Sequence, residues 1–159
     1  MKTPTLMLPV AILFTALAPA LSAKDITLVQ TPASVQEVVK QNLAGGTVDE
    51  VDHVTVKGLS MYVVEIKQPN SPLERKLYLN EAGKILKTRD DIALKDVPAA
   101  VREAAQKLAG TTGKVDDVDK ETAEGKITYR VEIDRADKDG GDLKVVINED
   151  GSVASQMAD

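Results

Sequence analysis

Apolar and polar residues alternate along most of this chain, and the period changes twice. Around residue 62 the pattern has period two: Tyr62, Val64 and Ile66 fall on one side, Met61, Val63 and Glu65 on the other. Runs of this kind predict strands at about 48–57, 60–67 and 74–80, and again at about 115–123, 126–134 and 142–148. Before each set the period lengthens to that of a helix. Val35, Val38, Val39 and Leu43 form one apolar stripe, and Val101, Ala104, Ala105 and Leu108 form another. Pro32 and Pro98 suit the first turns of these helices, where a missing N–H costs nothing, and Gly45-Gly46 and Gly110 suit their ends. Lys57-Gly58 and Glu124-Gly125 predict tight hairpins. Asn80-Glu81-Ala82-Gly83 and Asn148-Glu149-Asp150-Gly151 read as type I turns closed by a left-handed glycine, which places Ile85 and Val153 at the start of a fourth short strand.

The two stretches correspond residue by residue. Asp25-Ile26-Thr27-Leu28 matches Asp91-Ile92-Ala93-Leu94, and Pro32-Ala33-Ser34-Val35 matches Pro98-Ala99-Ala100-Val101. Val48-Asp49-Glu50-Val51-Asp52 matches Val115-Asp116-Asp117-Val118-Asp119, and Tyr62-Val63-Val64-Glu65-Ile66 matches Tyr129-Arg130-Val131-Glu132-Ile133. The order holds through to Asn80–Ile85 and Asn148–Val153. The expected fold class is therefore α+β. It consists of two tandem repeats, residues 24–90 and 91–159, each with one helix packed on a three- to four-stranded antiparallel sheet.

The segment before Lys24 reads as a secretory leader. Lys2 is its only charge, an apolar stretch runs from Leu6 to Leu17, and Ala18-Pro19-Ala20-Leu21-Ser22-Ala23 supplies small residues for cleavage after Ala23. The apolar run is short for a membrane span. The expected product is exported, periplasmic or extracellular, with no stable membrane anchor. Removing residues 1–23 takes the formal net charge from −5 to −6, a poor match for nucleic acid. The sequence has no Cys, which excludes disulfides, thiol chemistry and a lipid-modified amino terminus. With three Tyr and one Phe, the core must be built from Val, Ile, Leu and Ala.

The entry Asp96-Val97-Pro98-Ala99-Ala100-Val101, followed by a helix, Gly125, Tyr129-Arg130-Val131-Glu132-Ile133 and Asn148-Glu149-Asp150-Gly151-Ser152-Val153, resembles the PepSY-like family. The first stretch departs from it at Gln30-Thr31-Pro32 and carries an insertion with Pro69 and Pro72. The resemblance implies a module that restrains secreted peptidases or binds other proteins. The paired arrangement is also similar to the secreted β-lactamase inhibitor protein, which offers a concave sheet to its target. Neither likeness brings a catalytic motif to this chain.

The residues themselves agree in offering no catalytic set, no metal site and no cofactor. His53 is the single His, it lies in a predicted strand, and Lys120 stands at the matching place. One His without Cys falls short of a structural zinc site. Asp137-Lys138-Asp139-Gly140-Gly141-Asp142 has alternating Asp, but it lacks the glycine and glutamate of a calcium-binding loop and reads as a solvated hairpin. Asp49-Glu50-Asp52 and Asp116-Asp117-Asp119 read as polar strand starts.

The informative contrast lies between strand faces. Tyr62, Val64, Ile66, Leu77 and Leu79 are matched by apolar residues in the second stretch and should face the helix. The opposite face carries Met61, Val63 and Tyr78, joined by Val54 and Val56, where the second stretch carries Thr128, Arg130, Val146, Glu121 and Ala123. An apolar sheet face needs a cover. The second half of the chain, a second copy or a different protein would each serve. The functional expectation is a non-catalytic binding or inhibitory protein. Val54, Val56, Met61, Val63 and Tyr78 would form its partner-binding patch, and charged residues such as Glu65, Lys67, Lys76, Arg130 and Glu132 its rim. The partner would be a secreted or envelope enzyme such as a peptidase, or the protein itself. The alternative is a periplasmic scaffold or small-ligand carrier.

Overall fold

The computed structural model describes residues 22–56, 58–135 and 142–158. The apolar stretch of the leader and most of the Asp137–Asp142 loop lie outside the described residues, as does the side chain of Val56.

Alternation produces strands in every predicted place: β2 Thr47–Val56, β3 Leu59–Lys67, β4 Glu74–Asn80, β6 Lys114–Ala123, β7 Lys126–Asp134 and β8 Leu143–Asn148. The fourth strands are longer than the short ones expected, with β5 at Ile85–Asp91 and β9 at Val153–Ala158. The lead-in adds β1, Ser22–Asp25. The helices are α1, Ala33–Asn42, and α2, Ala99–Ala109, each preceded by its proline. The Pro32 carbonyl accepts from the N–H groups of Val35 and Gln36, and that of Pro98 from Arg102.

One expectation is overturned here. The chain does not form two tandem units with a sheet apiece. It forms a single nine-stranded antiparallel sheet in sequence order, β1 to β9, mostly β in character with only two α-helices among the described residues. The joint is β5. It pairs with β4 on one side and with β6 on the other, through Lys87↔Ala123, Arg89↔Glu121 and Asp91↔Asp119. Local periodicity could not disclose this pairing, because β5 reads Ile-Leu-Lys-Thr-Arg-Asp-Asp and buries no side chain fully. The correspondence between the two stretches appears instead as matched registers and bulges within one sheet. The bulge at Val48/Glu50 recurs at Val115/Asp117, and that at Tyr78/Leu79 recurs at Val146/Ile147.

Both helices lie on the same face of the sheet, over separate cores. Under α1, Val35 and Val39 pack on Val51, Tyr62, Val64, Ile66, Leu77 and Leu79. Under α2, Val101 and Ala105 pack on Val118, Tyr129, Val131, Ile133, Leu143, Val145 and Ile147. Between them the helix side of the joint is polar: Thr88 stands opposite Thr122, and Arg75 pairs with Asp90. Each helix start is pinned to the turn after the third long strand of its half. The Ser34 hydroxyl donates to the Glu81 carbonyl at 2.7 Å. A Cβ on Gly83 would come within 2.6 Å of the Ser34 carbonyl oxygen, so only glycine allows this approach. The face opposite the helices has no covering element among the described residues.

Candidate functional site

The open face is the site that the sequence points to, and it can be followed strand by strand. Residues directly opposite in an antiparallel pair project to the same side. One row across the sheet therefore reads Asp52, Val63, Tyr78, Lys87, Ala123, and the row beside it Val54, Met61, Asn80. Val54 is buried, while Met61, Val63 and Tyr78 are half-buried. These four form a contiguous apolar patch over β2, β3 and β4. Val56 ends β2 at the same edge. Arg130 does not join them: it lies on β7, three strands from Tyr78, opposite Asp119 and Val146.

The patch has two borders, of which sequence reasoning named Glu65 and Lys76 but missed the cations of β5 and the apolar hairpin end. On one side stand cations from β5. Lys87 Nζ lies 4.1 Å from the centroid of the Tyr78 ring, and the Arg89 guanidinium carbon 6.0 Å from it, a cation–π arrangement that holds the phenol ring in place. Burial lowers the Lys87 ammonium from its ordinary value, against the opposing pull of Glu121. Arg89 Nη2 donates to Glu121 Oε1 at 2.5 Å, and Lys76 Nζ sits 2.7 Å from Glu65 Oε2. Burial alone would raise the Glu121 carboxyl; the Arg89 hydrogen bond and the Lys87 charge outweigh it and hold the group below its usual range. The signal for this border was present in the charges of β5, but it acquires meaning only once β5 is known to sit between β4 and β6.

On the other side, at the hairpin end, Leu59, Met61, Ala82 and Leu86 line an open recess of about 790 Å³. Leu59 is 74% exposed and Leu86 40% exposed, so the apolar surface runs on from Met61 to the sheet end.

Carboxylates gather at the other end of the open face. Asp25, Glu50 and Asp52 meet across β1 and β2, and Asp91, Asp117 and Asp119 meet at the matching place on β5 and β6. A third group joins Asp49, Glu65 and Glu74. Such oxygen-only sets suit a hard cation. However, Lys67 already pairs with Asp49, Lys76 with Glu65 and Arg89 with Asp119. Asp119 is 7% exposed, and burial together with a hydrogen bond to Asp91 raises its carboxyl to about 7 despite Arg89. Asp25 was missed as a member of the first group because its lead-in position gave no sign that it would form a strand.

His53 is on the helix side. Its ring stacks on Tyr62 at 5.0 Å, and Nε2 lies 3.2 Å from the Ser60 hydroxyl. It packs as a strand side chain.

No protein-family model matches this sequence, and no curated protein matches it at a significant level. Solved structures do match. A DUF2874 family protein from Bacteroides uniformis is 21% identical, with 80% of this chain and 88% of that one covered and a TM-score of 0.62. A protein from Bacteroides eggerthii described as periplasmic is 19% identical, covers 80% and 88%, and has a TM-score of 0.61. A BLIP-like protein from Bacteroides fragilis is 17% identical, covers 80% and 85%, and has a TM-score of 0.59. The chain therefore has the fold shared by these BLIP-like and DUF2874 proteins.

Proposed function

We propose that this chain is an exported, non-catalytic protein-binding module of the PepSY-like kind, which restrains a secreted peptidase or another envelope enzyme. It would act through the open face of its sheet. The observation that carries this reading is the patch of Val54, Met61, Val63 and Tyr78 on the face opposite both helices, bordered by ion pairs and continuous with exposed Leu59 and Leu86. An apolar centre with a charged rim is the usual anatomy of a protein interface. Tyr78 is its natural anchor, because Lys87 and Arg89 already fix the ring and little side-chain entropy is lost on binding. The leader, the neighbour described as periplasmic and the BLIP-like neighbour support the same reading.

The test is a double variant. Met61→Ser with Tyr78→Ala removes the centre of the patch and leaves both cores untouched. Affinity for a partner isolated with the wild-type protein from the cell envelope should fall at least a hundredfold, with the far-ultraviolet spectrum and melting behaviour close to wild type. Retention of wild-type affinity would remove the patch from the interface.

A second reading, a small-ligand carrier, is favoured by one feature, the recess beside Leu59 and Leu86, whose size falls in the range of ligand pockets. Native mass spectrometry of protein purified from its source separates the two. A retained small molecule supports the carrier, and a bare chain supports the binding module.

A further inference from the structure

The sheet makes the same strand pairing at two places, once inside the molecule and once at its edge. β5 lies beside β6 with Arg89 opposite Glu121 and Asp91 opposite Asp119. β1 lies beside β2 with Ala23 opposite Val54 and Asp25 opposite Asp52. Because the bulges match, Glu121 and Val54 hold the same position in their strands, facing Thr128 and Met61 respectively. At the far end of the sheet β9 is the counterpart of β5. Lys144 faces Met157 as Lys76 faces Arg89, and Val146 faces Ser155 as Tyr78 faces Lys87. β5 has β6 on its outer side, whereas β9 is an outer strand of the sheet.

The charges follow the same division. The internal joint matches charged β5 residues with charged β6 residues. From Ser152 to Ala158 the sequence has no charge and no proline, and every residue of β9 is exposed, Met157 at 63%. Edges are normally defended by charge, proline or brevity, and β9 uses none of these. The matching part of β2, His53-Val54-Thr55-Val56, is equally free of acidic and basic residues other than the His.

Among the described residues, what covers β2 at this place is the four-residue β1 alone, and cleavage after Ala23 would remove its Ser22 and Ala23, the partners of Thr55 and Val54. We propose that the exported chain associates head to tail, with Ser155–Met157 of one copy taking the edge of β2 on the next beside Val56–Val54, next to the retained Lys24 and Asp25, in the register that Lys87–Arg89 of β5 uses on β6. Met157 then stands opposite Val54 where Arg89 stands opposite Glu121, and it extends the apolar row to Met61. The contact is heterologous, so it builds an open row or a ring rather than a two-fold dimer. The proposal rests on reading residues 1–23 as a leader, and the purified chain is begun at Lys24 so that the two ideas fail separately. Mass measurement of the exported protein tests the leader alone.

Sedimentation velocity on the chain from Lys24 to Asp159 should show mass rising with concentration through the micromolar range. Met157→Arg alone and Val54→Glu alone should each be monomeric with native circular dichroism. An equimolar mixture of the two should associate again, since one junction then carries the Arg–Glu pair of the internal joint and the other the original Met–Val pair. A monomeric wild type at all concentrations overturns the proposal, as does association undiminished by Met157→Arg. Undiminished association of Val54→Glu would mean that β9 pairs with β9, and would overturn it too. Should Val54→Glu fail to fold, the exposed Met157→Arg decides on its own.

Discussion

Asp119 shows how a single side chain in the middle of this sheet couples to its neighbours. Burial and the carboxyl of Asp91 directly opposite, helped by the repulsion of Asp117, raise it to about 7, above its ordinary 3.8, against the attraction of Arg89. The folded protein therefore holds a proton here that the unfolded chain has released. The contribution of this group to stability is present below the unfolded value and is lost as pH rises toward about 7. From about pH 5 to about pH 8 the urea midpoint should fall by the equivalent of on the order of 2 kcal/mol. Asp119→Asn should flatten that slope; an equal slope in the variant would show that other groups set it. The neighbouring Arg89–Glu121 pair behaves differently. Both side chains are mostly buried, at 19% and 17% exposed, so Glu121→Ala leaves a guanidinium without its main partner. That change should cost about 1–3 kcal/mol in urea unfolding. A loss below a few tenths would mean that water replaces the carboxylate.

Strands and helices were legible because their signals are local. Tyr62-Val63-Val64-Glu65-Ile66 alternates, Val35 and Val39 lie one helical turn apart, and both helix starts carry a proline. Which strand faces point to the helices was readable for the same reason, and Tyr62, Val64 and Ile66 are buried in that sense. The joint at β5 was not readable, because its stabilisation comes from Arg89, Lys87 and Glu121, residues 32 and 34 apart that ordinarily mark a solvated surface. β1 was hidden by overlap with the small residues of the leader. The turns make a sharper prediction. Gly58 and Gly83 both have positive φ, at +78° and +77°, but a Cβ on Gly58 meets nothing within 4 Å whereas one on Gly83 meets the Ser34 backbone. Gly58→Ala should cost about 1 kcal/mol from the backbone alone. Gly83→Ala should cost clearly more, about 2–4 kcal/mol, as α1 is pushed from its turn. Equal losses in thermal unfolding would mean that the helix start moves freely.

At the scale of the molecule, one continuous sheet carries both helices on one face, and no described element covers the other. The residues nominated from sequence do not all lie together: Val54, Met61, Val63 and Tyr78 share a patch, while Arg130 stands across the ion pairs of the joint. Their separation follows from the merging of what sequence reads as two sheets. A partner that touches both must span β2 to β7, roughly 24 Å at the usual strand spacing. The direct measurement is site-specific photo-cross-linking in the cell envelope, with a benzophenone amino acid placed at Tyr78 on the open face or at Glu103 on the exposed side of α2. A discrete adduct with another protein from position 78 and none from position 103 is the predicted result. Adducts from position 103 with none from position 78 would put the interface on the helices and contradict the account.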